Sequence, residues 1–519
     1  MKTAWILLSL LMSVCVRAQE KTGNPVINDA FSADPSAKVF NDTLRYNSEG
    51  RTEKVTTTLD ASRLLMHGVD MRRIEAMVAA SISLPSIGKK EYSLPQSVTR
   101  ETLQNAIDEC SGNGGGRVIV NAGVHHIDGP VVMKSNVCLH LRNGATLSFT
   151  GNPDSYLPAV FSRWEGTELY NRSSMIRAEY AENFAITGEG TAVINANGGE
   201  MARWGMPGGK PDFVENIHGT HGETPEKDDV ERLRTMGDNA TDVEKRVFGS
   251  ESRLRPCAIE FVNCQEILVE GVTLKDSPFW CIHPVYCKDV TIRNVTIDSH
   301  FPNNDGCDPE SSERVMIENC TFRTGDDAVA IKAGRDADGR RVGRPAKNIV
   351  VRNCRFFSKC NGLCIGSEMS GGVSNVFLRN ITVGDVKNAL LFKSNLDRGG
   401  YIENVFVDSI MISSAAGAVL RFETNYFGYR GGNCPSRYAD FVIRNIKAGR
   451  ADAYAIYIDG NDTEPIRDID VENFEVKEAK NATYLYKTER CSFRNCKING
   501  RLIPENPQQD TERKQCDVW

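Results

Sequence analysis

Apolar and polar positions alternate in a ten-residue phrase that recurs along the chain from about residue 182. Clear copies are Lys288-Asp-Val-Thr-Ile-Arg-Asn-Val-Thr-Ile297, Glu313-Arg-Val-Met-Ile-Glu-Asn-Cys-Thr-Phe322, Lys347-Asn-Ile-Val-Val-Arg-Asn-Cys-Arg-Phe356 and Ser374-Asn-Val-Phe-Leu-Arg-Asn-Ile-Thr-Val383. Weaker copies begin at Glu182, Gln265, Glu403, Ala439, Arg467 and Glu489. Because alternation with a period of two is typical of strands, each phrase predicts a pair of short β-strands.

The seventh position of the phrase is occupied by residues that tolerate a left-handed backbone at a tight bend. They are Asn294, Asn319, Asn353, Asn380, Asn445, Asn473 and Asn495, with Gly188 and Gly271 in two weaker copies. Successive copies between residues 265 and 374 start 23 to 34 residues apart, which suits one solenoid coil each. The pattern therefore predicts stacked parallel coils in which each asparagine hydrogen-bonds the neighbouring backbone. An antiparallel sandwich is the alternative, but it explains the fixed asparagine poorly.

The segments outside the repeat suggest four parts. Lys2, an apolar stretch and small residues before Gln19 are typical of a cleaved export signal at residues 1–18, so we expect a periplasmic or secreted protein, with a bacterial source favoured. Residues 19–100 form an extension in which Ala61 to Ser81 has helical spacing. Within the solenoid, residues 101–505, the stretch from Thr102 to Cys110 predicts a helix that caps the open core. Residues 205–247 are expected to be a long surface insertion, and residues 506–519 a tail.

Composition excludes some classes of function. The chain of 519 residues has a net charge of −6 with scattered basic residues, so no nucleic-acid partner is expected. No apolar run is long enough to predict a membrane span. One of the 16 cysteines is in the leader, and the odd remainder cannot all pair within one chain. Cys320, Cys354 and Cys496 fall on apolar positions of the phrase, which predicts buried thiols. A monomer is expected.

Four aspartates form the densest group of carboxylates on the coils: Asp305, Asp308, Asp326 and Asp327. Measured from the start of its own phrase, Asp327 holds the same position as Asn361 and Asn388, so these residues should share one face. Neighbouring coils are about 4.8 Å apart, and carboxylates one or two coils apart can approach the roughly 6.5–9.5 Å that an inverting glycosidase needs. Like charges this close raise at least one pKa, which keeps a proton available for a leaving group.

Two simpler interpretations of these aspartates stay open. Aspartate beside glycine is a common turn former. A calcium site is the other interpretation, and Asp336-Ala-Asp-Gly339 resembles part of a calcium loop, although the rest of that loop is missing. We expect no metal and no cofactor.

Several motifs together resemble glycoside hydrolase family 28, which contains polygalacturonases and rhamnogalacturonan hydrolases. They are Asn303-Asn-Asp305, Gly325-Asp-Asp327, Ile365-Gly-Ser-Glu368, and Lys393 with Arg398-Gly-Gly400. Ser277-Pro-Phe-Trp-Cys-Ile-His283 and Arg163-Trp-Glu-Gly166 resemble members that trim uronic acids from chain ends. The resemblance covers residues from about 102 to 498. It implies an all-β, single-stranded, right-handed parallel β-helix with an N-terminal helical cap.

The resemblance also implies roles for individual residues. Asp326 would be the general acid, while Asp305 and Asp327 would hold and deprotonate the attacking water, with inversion at the anomeric carbon. Lys393 would bind the substrate carboxylate. The expected substrate-binding residues are Asn303, Lys393, Arg398, His283, Arg255, Arg163, Asn361 and Glu368.

Two positions depart from the family pattern. Cys360-Asn-Gly362 stands where polygalacturonases have Gly-His-Gly, so Asn361 replaces a histidine and cannot titrate. Leu391-Phe-Lys393 stands where they have Arg-Ile-Lys and so loses a cation. Rhamnogalacturonan-acting members are looser at these positions, which favours a branched or rhamnose-containing pectin.

The function expected from this resemblance is an exo-acting galacturonidase that hydrolyses α-linked galacturonic acid from pectic oligo- or polysaccharides. An endo-polygalacturonase or rhamnogalacturonan hydrolase is the nearest alternative. A calcium-dependent pectate lyase and a non-catalytic carbohydrate-binding β-helix are the more distant ones.

Overall fold

The computed structural model describes residues 43–48, 51–56, 70–207 and 223–513, which divide into two compact units, 1–81 and 82–519. The first unit contains the antiparallel strands Thr43–Ser48 and Arg51–Thr56 and helix α1, Met71–Ser81. Helix α1 confirms the second half of the helical spacing predicted from Ala61. The leader at residues 1–18 and residues 514–519 of the tail lie outside the described residues.

The second unit is a right-handed parallel β-helix, as predicted. Each coil contributes strands to three parallel sheets. The first sheet contains Glu91–Ser93, Gly116–Val120, Val137–Leu141, Glu182–Gly188, Gln265–Glu270, Lys288–Arg293, Glu313–Glu318, Ala346–Arg352 and Thr488–Arg494. The second contains Gly123–Ile127, Ala145–Phe149, Val193–Asn195, Thr273–Lys275, Thr296–Ser299, Thr321–Thr324, Arg355–Ser358 and Lys497–Ile498, the last paired with Arg501–Leu502.

The third sheet carries the candidate site. Its strands are Val131–Val132, Ile176–Glu179, Ile259–Val262, Ile282–Val285, Val329–Ile331, Asn361–Ile365, Asn388–Lys393 and Ala418–Glu423. Four long strands bend through two or three sheets: Val373–Val386, Tyr401–Ala415, Arg437–Asp459 and Ile466–Tyr486.

The register between coils confirms the repeat read from the sequence. Each predicted start pairs with the next, so that Gln265, Lys288, Glu313, Lys347, Ser374 and Glu403 are successive Cα partners. The apolar positions consequently stack inside the coils. Ile292, Ile317, Val351, Leu378 and Val407 form one such stack and are at most 1% exposed. Burial of these stacked side chains is the main favourable term for folding.

The seventh-position asparagines adopt the predicted left-handed backbone, with φ between 49° and 56°. The second position of the phrase is left-handed too, which the sequence analysis missed although most of its residues are asparagine or aspartate. It is occupied by Asn183, Glu266, Asp289, Arg314, Asn348, Asn375, Asn404, Asp440, Asp468 and Arg490. The phrases with asparagine at position seven are therefore bent at both ends of their first strand.

The asparagine ladder differs from the prediction in its acceptors. Asn380 Nδ2 donates to Asn353 Oδ1 at 2.8 Å, and Asn495 Nδ2 donates to Asn473 Oδ1 at 2.6 Å. The amides thus bond one another rather than the neighbouring backbone, because the strand ladder already engages the backbone groups at the bend.

The cap and the cysteines follow the prediction. Helix α2, Arg100–Gly112, begins at Thr99, whose side chain forms a capping box with Thr102, and it buries Leu103, Ile107 and Cys110. The described cysteines are all free thiols, and Cys320, Cys354 and Cys496 are buried.

Several elements lie outside the coils of the second unit. They are the antiparallel hairpin Val160–Trp164 with Thr167–Asn171, helices α3 (Gly199–Ala202), α4 (Lys227–Asp238) and α5 (Asp336–Val342), and the 3-10 turns Pro153–Tyr156, Arg203–Gly205 and Val243–Lys245. The predicted insertion at 205–247 thus contains helix α4, while residues 208–222 lie outside the described residues. A buried ion pair of 2.8 Å joins Arg246 to Asp338 of helix α5. The described part of the tail bonds the last coils through Gln509 and Asp510.

Among the described residues, no helix combines the length and apolar character that a bilayer span requires.

The glycine at position 188 does not adopt the predicted left-handed backbone, in contrast to Gly271 with φ of 70°. Glycine is required at this position for a steric reason. A Cβ at Gly188 would lie 2.7 Å from the Ala192 Cβ and 2.9 Å from the Gly271 carbonyl oxygen. Glycine is needed there because neighbouring coils approach closely.

We expect Gly188→Ala to lower the free energy of unfolding by about 1–3 kcal/mol, because the added methyl group overpacks the coil. Guanidinium denaturation measures the difference. Gly249→Ala is the matched control, since a Cβ there meets nothing within 4 Å. Equal stability of the two variants would contradict this explanation.

Candidate active site

Three aspartates meet at one edge of the third sheet. Cys307 pairs with Val329 on the next coil, so Asp305 and Asp327, each two residues earlier, lie on neighbouring coils. The shared face predicted for Asp327, Asn361 and Asn388 is confirmed. Asn361 Nδ2 donates to Asp327 Oδ1 at 2.5 Å, and Asn388 Nδ2 donates to Asn361 Oδ1 at 2.8 Å. A continuous polar stack therefore runs along the coils at this position.

Asp327 is surrounded by hydrogen-bond donors. Its oxygens accept from the Asn361 backbone N–H at 3.2 Å, from Asn361 Nδ2, and from Lys393 Nζ at 3.1 Å. Burial alone would lower the pKa of Lys393, but the charge of Asp327 raises it well above its usual value. Lys393 is therefore a fixed cation, and its Nζ lies 5.0 Å from the ring centre of Tyr426.

Asp326 lies beside this pair. It accepts from the Asp327 backbone N–H at 2.9 Å, and Asn303 Nδ2 lies 3.5 Å from its Oδ2. Carboxylate oxygens of Asp326 and Asp327 come within 4.8 Å of each other. The structure therefore brings together the three aspartates, Asn303, Asn361 and Lys393.

Lys332 is a second fixed cation, which the sequence analysis missed. Its Nζ lies 3.8 Å from Asp305, 3.7 Å from Asp308 and 3.2 Å from Glu368. Burial would lower the pKa of Lys332, but Glu368, Asp305 and Asp308 raise it. The alternation in Ala328-Val-Ala-Ile-Lys332 places this lysine on the outward side of its strand, and that was the available signal.

Asp305 and Asp308 resist ionisation. Burial, with the charges of Asp308 and Asp326, raises the pKa of Asp305 well above its usual value. Burial likewise raises the pKa of Asp308 to about 7, against the opposing charge of Lys332. No described residue donates a hydrogen bond to Asp305 Oδ1 or to either oxygen of Asp308. The free Asp305 oxygen is suited to accept a hydrogen bond from a bound water.

Glu368 belongs to the charge network beneath the aspartates. It accepts hydrogen bonds from Lys332 and from Arg335, each at 3.2 Å. Burial would raise the pKa of Glu368, but Lys332, Arg335 and Arg398 hold it well below its usual value. Arg398 donates to the Ser367 carbonyl at 2.8 Å and also pairs with Asp336. The polar groups of both residues have protein partners in this structure, and their expected role in substrate binding stays a prediction. They position Lys332 and the loop that follows Ile365.

The guanidinium of Arg255 is also bonded to protein groups. It is 1% exposed, forms a two-pronged ion pair with Glu226, and donates to Asn303 Oδ1 at 2.7 Å. Arg255 thus contacts Asn303, and its expected role as a substrate clamp stays a prediction.

His283 and Arg163 lie on the covered N-terminal side of the site. The His283 ring nitrogens lie 3.1 Å from Glu260 and 2.9 Å from Glu310. Burial opposes its protonation, but hydrogen bonds to Cys257 and both glutamates raise the pKa of His283 well above its usual value. Arg163 donates to Ser311 and to the Gly166 carbonyl. Both side chains are at most 1% exposed and bond protein groups, and their expected contacts with sugar and carboxylate groups stay predictions.

Two groups of described side chains have the proximity of metal ligands. In Cys257, Glu260 and His283, the imidazole is held protonated between carboxylates, and a cation lacks the lone pair that a metal needs. In Asp326, Asp327 and Cys360, burial raises the pKa of the Cys360 thiol well above its usual value, so the thiolate is disfavoured. Neither donor set fits a metal well.

Other segments of the chain contact the stacked residues on both sides of the site along the direction of the coils. Glu260 and His283 pair on successive coils, and Asp308 follows on the next. Ser162 of the hairpin donates to Glu260 at 2.8 Å and so covers the N-terminal side. On the C-terminal side, Lys393 is followed in register by Glu423 and Asp459. There, Tyr426 faces Lys393, and Arg513 of the tail pairs with Asp459 at 2.9 Å.

A right-handed parallel β-helix with three clustered aspartates and two buried lysines has the features of a β-helical polysaccharide hydrolase. The sequence profile of "Glycosyl hydrolases family 28" matches residues 239–495, which contain all three aspartates. A solved structure described as a hyperthermoactive exopolygalacturonase from Thermotoga maritima is 38% identical with a TM-score of 0.75, covering 82% of this chain and 96% of that chain. The chain belongs to glycoside hydrolase family 28.

Curated relatives match more limited regions. A probable polygalacturonase of Vitis vinifera is 36% identical over 156 residues, which make up 30% of this chain and 32% of that protein. An endo-polygalacturonase of Pectobacterium carotovorum is 25% identical over 360 residues, 67% of this chain and 77% of that protein. The chain thus spans only about a third of the grapevine relative.

We expect Asp308→Asn to change how stability depends on pH. The folded pKa of about 7 lies above the usual 3.8, so the folded state binds this proton more tightly than the unfolded state. The resulting stabilisation is complete below about pH 4 and is lost as pH rises through about 7. Relative to wild type, the variant should gain about 2–4 kcal/mol in free energy of unfolding between about pH 4 and pH 8.

Guanidinium titrations at the two pH values measure this gain. Asp452→Asn, at an exposed position, is the control and should follow wild type. A progressive loss of Asp308→Asn stability relative to wild type as pH rises would refute the assigned direction.

Proposed function

We propose that this family 28 enzyme is an inverting, exo-acting galacturonidase that releases galacturonic acid from the ends of pectic oligosaccharides. The observation that carries the proposal is the placement of the three aspartates between the hairpin and the segment that contains Tyr426. A pocket closed along the coils fits a chain end, whereas cleavage within a chain needs a groove open at both sides. The similarity to an exopolygalacturonase supports the same mode.

The aspartates divide the chemistry by their surroundings. Asp326 donates a proton to the leaving oxygen, as the family resemblance implies. Asp327, with three donors on its oxygens, is the base that withdraws a proton from water. The free Asp305 oxygen holds that water, which attacks the anomeric carbon from the face opposite the leaving group.

Lys393 supplies the positive charge that a galacturonate carboxylate requires. It is 6% exposed and contacts both Asp327 and Tyr426, so it lies where a sugar beside the scissile bond would sit. Asn361 occupies the position of the family histidine and orients Asp327 by two hydrogen bonds. It can hold the base but cannot donate charge to it.

Product chromatography tests the exo mode. Purified protein is incubated with homogalacturonan and rhamnogalacturonan oligosaccharides, with and without chelator. Monomeric, saturated galacturonic acid from the earliest time points supports the proposal and identifies the preferred polymer. A ladder of internal fragments would keep the hydrolase but establish endo action, which the Pectobacterium relative makes the second candidate. Unsaturated, chelator-sensitive products would indicate a lyase instead.

Asp326→Asn should lower kcat by about 10²- to 10⁴-fold, because an amide cannot supply the proton. Affinity for a galacturonate trisaccharide, measured by calorimetry, should change less than about threefold, since the amide keeps the shape of the carboxyl group. Asp452→Asn is the control and should match wild type in both. A loss of affinity that accounts for the loss of rate would refute the acid role of Asp326.

Lys393→Gln should abolish discrimination between free and methyl-esterified substrates. We expect wild type to prefer the free acid by at least about tenfold in kcat/KM, because a buried ion pair is lost on esterification. The exposed Lys447→Gln variant controls for general loss of charge. If Lys393→Gln keeps the full preference for the free acid, Lys393 does not bind the substrate carboxylate.

A further inference from the structure

The insertion before the family-matched region contributes a buried carboxylate to the site. Glu226 immediately precedes helix α4 and is 6% exposed, whereas the family profile matches only from residue 239. Its Oε2 accepts from Arg255 Nε at 2.8 Å, and its Oε1 accepts from Arg255 Nη2 at 2.6 Å. This two-pronged geometry fixes the plane of the guanidinium.

The other Arg255 donors are also engaged. Nη1 donates to the carbonyl oxygens of Pro278 at 3.3 Å and Pro302 at 2.9 Å, and Nη2 donates to Asn303 Oδ1 at 2.7 Å. These bonds, with the two to Glu226, use all five N–H groups of an arginine. The Phe279 ring lies 4.8 Å from the guanidinium carbon. Gly205 approaches so closely that a Cβ there would lie 2.3 Å from the guanidinium. Arg255 therefore has a single available orientation.

The orientation of Arg255 determines that of the Asn303 amide. Because Asn303 Oδ1 accepts from Arg255, its Nδ2 is directed to the other side, where it lies 3.5 Å from Asp326 Oδ2. A reversed amide would place its NH₂ group against a guanidinium that has no acceptor. The chain Glu226–Arg255–Asn303 thus connects the insertion to the proposed general acid.

We propose that Glu226 is a positioning residue for catalysis, which acts through Arg255 to hold the Asn303 amide against Asp326. The inference rests on the proposed function, since it assigns the general acid to Asp326. The simpler alternative is that Glu226 only anchors the insertion to the coils. The positioning role and the anchoring role predict different effects of Glu226→Gln on kcat once Asn303 has been replaced.

The test is a double-mutant cycle of Glu226→Gln and Asn303→Ala on a galacturonate oligosaccharide. Glu226→Gln should lower kcat by about 10- to 100-fold, because a misplaced catalytic group costs that much, and it should leave KM within about twofold. Asn303→Ala should have a similar effect. The double variant should be no slower than Asn303→Ala alone, because both changes break the same chain.

Asp338→Asn is the matched control. It breaks the buried Arg246–Asp338 pair, which also anchors the insertion but has no contact with Asn303. We expect this control to lose stability without the selective loss of kcat. Multiplicative effects in the double variant, or an equal kcat loss in Asp338→Asn, would overturn the proposal. If Glu226→Gln fails to fold, Asn303→Ala alone tests the proposal. A change confined to KM in Asn303→Ala would contradict the proposal.

Crystal structures of wild type and Glu226→Gln separate this inference from the proposed function. Rotation of the Asn303 amide away from Asp326 in the variant supports the chain even if the wild type hydrolyses no galacturonan. An unchanged Asn303 amide overturns it, whatever the substrate proves to be. If the wild type is inactive and the Asn303 amide is rotated in Glu226→Gln, the result counts only against the galacturonidase assignment.

Discussion

The hydrogen-bonded register between successive coils is the constraint on which the rest of the structure depends. Once Lys288 is aligned with Glu313 and Lys347, every later residue of each coil falls into a fixed stack. The left-handed bends at both ends of the phrase keep the coils the same shape, and the asparagine amides join one coil to the next. Residues far apart in sequence, such as Asp305 and Asp327, are neighbours for this reason alone.

The same stacking buries several charged side chains close together. Asp305, Asp308, Asp327 and Glu368 are buried together, which would be costly without Lys332 and Lys393 among them. The compensation is uneven. Asp327 and Glu368 receive direct donors, whereas no described residue donates to Asp305 Oδ1 or to Asp308, and burial raises the pKa values of Asp305 and Asp308. This unevenness is what allows one cluster to contain both a base and groups that retain protons.

Much of the fold could be predicted because its signals are local and repeated. The alternation, the spacing of copies and the asparagines at position seven each report on one coil, and neighbouring coils obey the same rule. The second bend was missed although most of its residues are asparagine or aspartate, which tolerate a left-handed backbone. At Glu266 and Arg314, which have no such preference, stacking imposes the bend. Gly188 shows the reverse case, in which glycine is required by close packing between coils and not by its φ angle.

The site was predictable only in part, for a physical reason. Asp305, Asp326 and Asp327 lie in short motifs on consecutive coils, so counting from the phrase places them together. Burial of Arg163 and His283 depends on the hairpin and on Glu260 and Glu310, which no local pattern connects to them. Glu226 was missed likewise, because its partner Arg255 lies beyond an insertion.

The central claim is that water attacks the anomeric carbon directly, held by Asp305 and Asp327, while Asp326 protonates the leaving oxygen. Proton NMR of the first product released from an α-linked galacturonate oligosaccharide, recorded before mutarotation, tests it most directly. The account predicts that β-galacturonic acid appears first and then equilibrates with the α-anomer. Initial release of α-galacturonic acid would require a covalent intermediate and would contradict it.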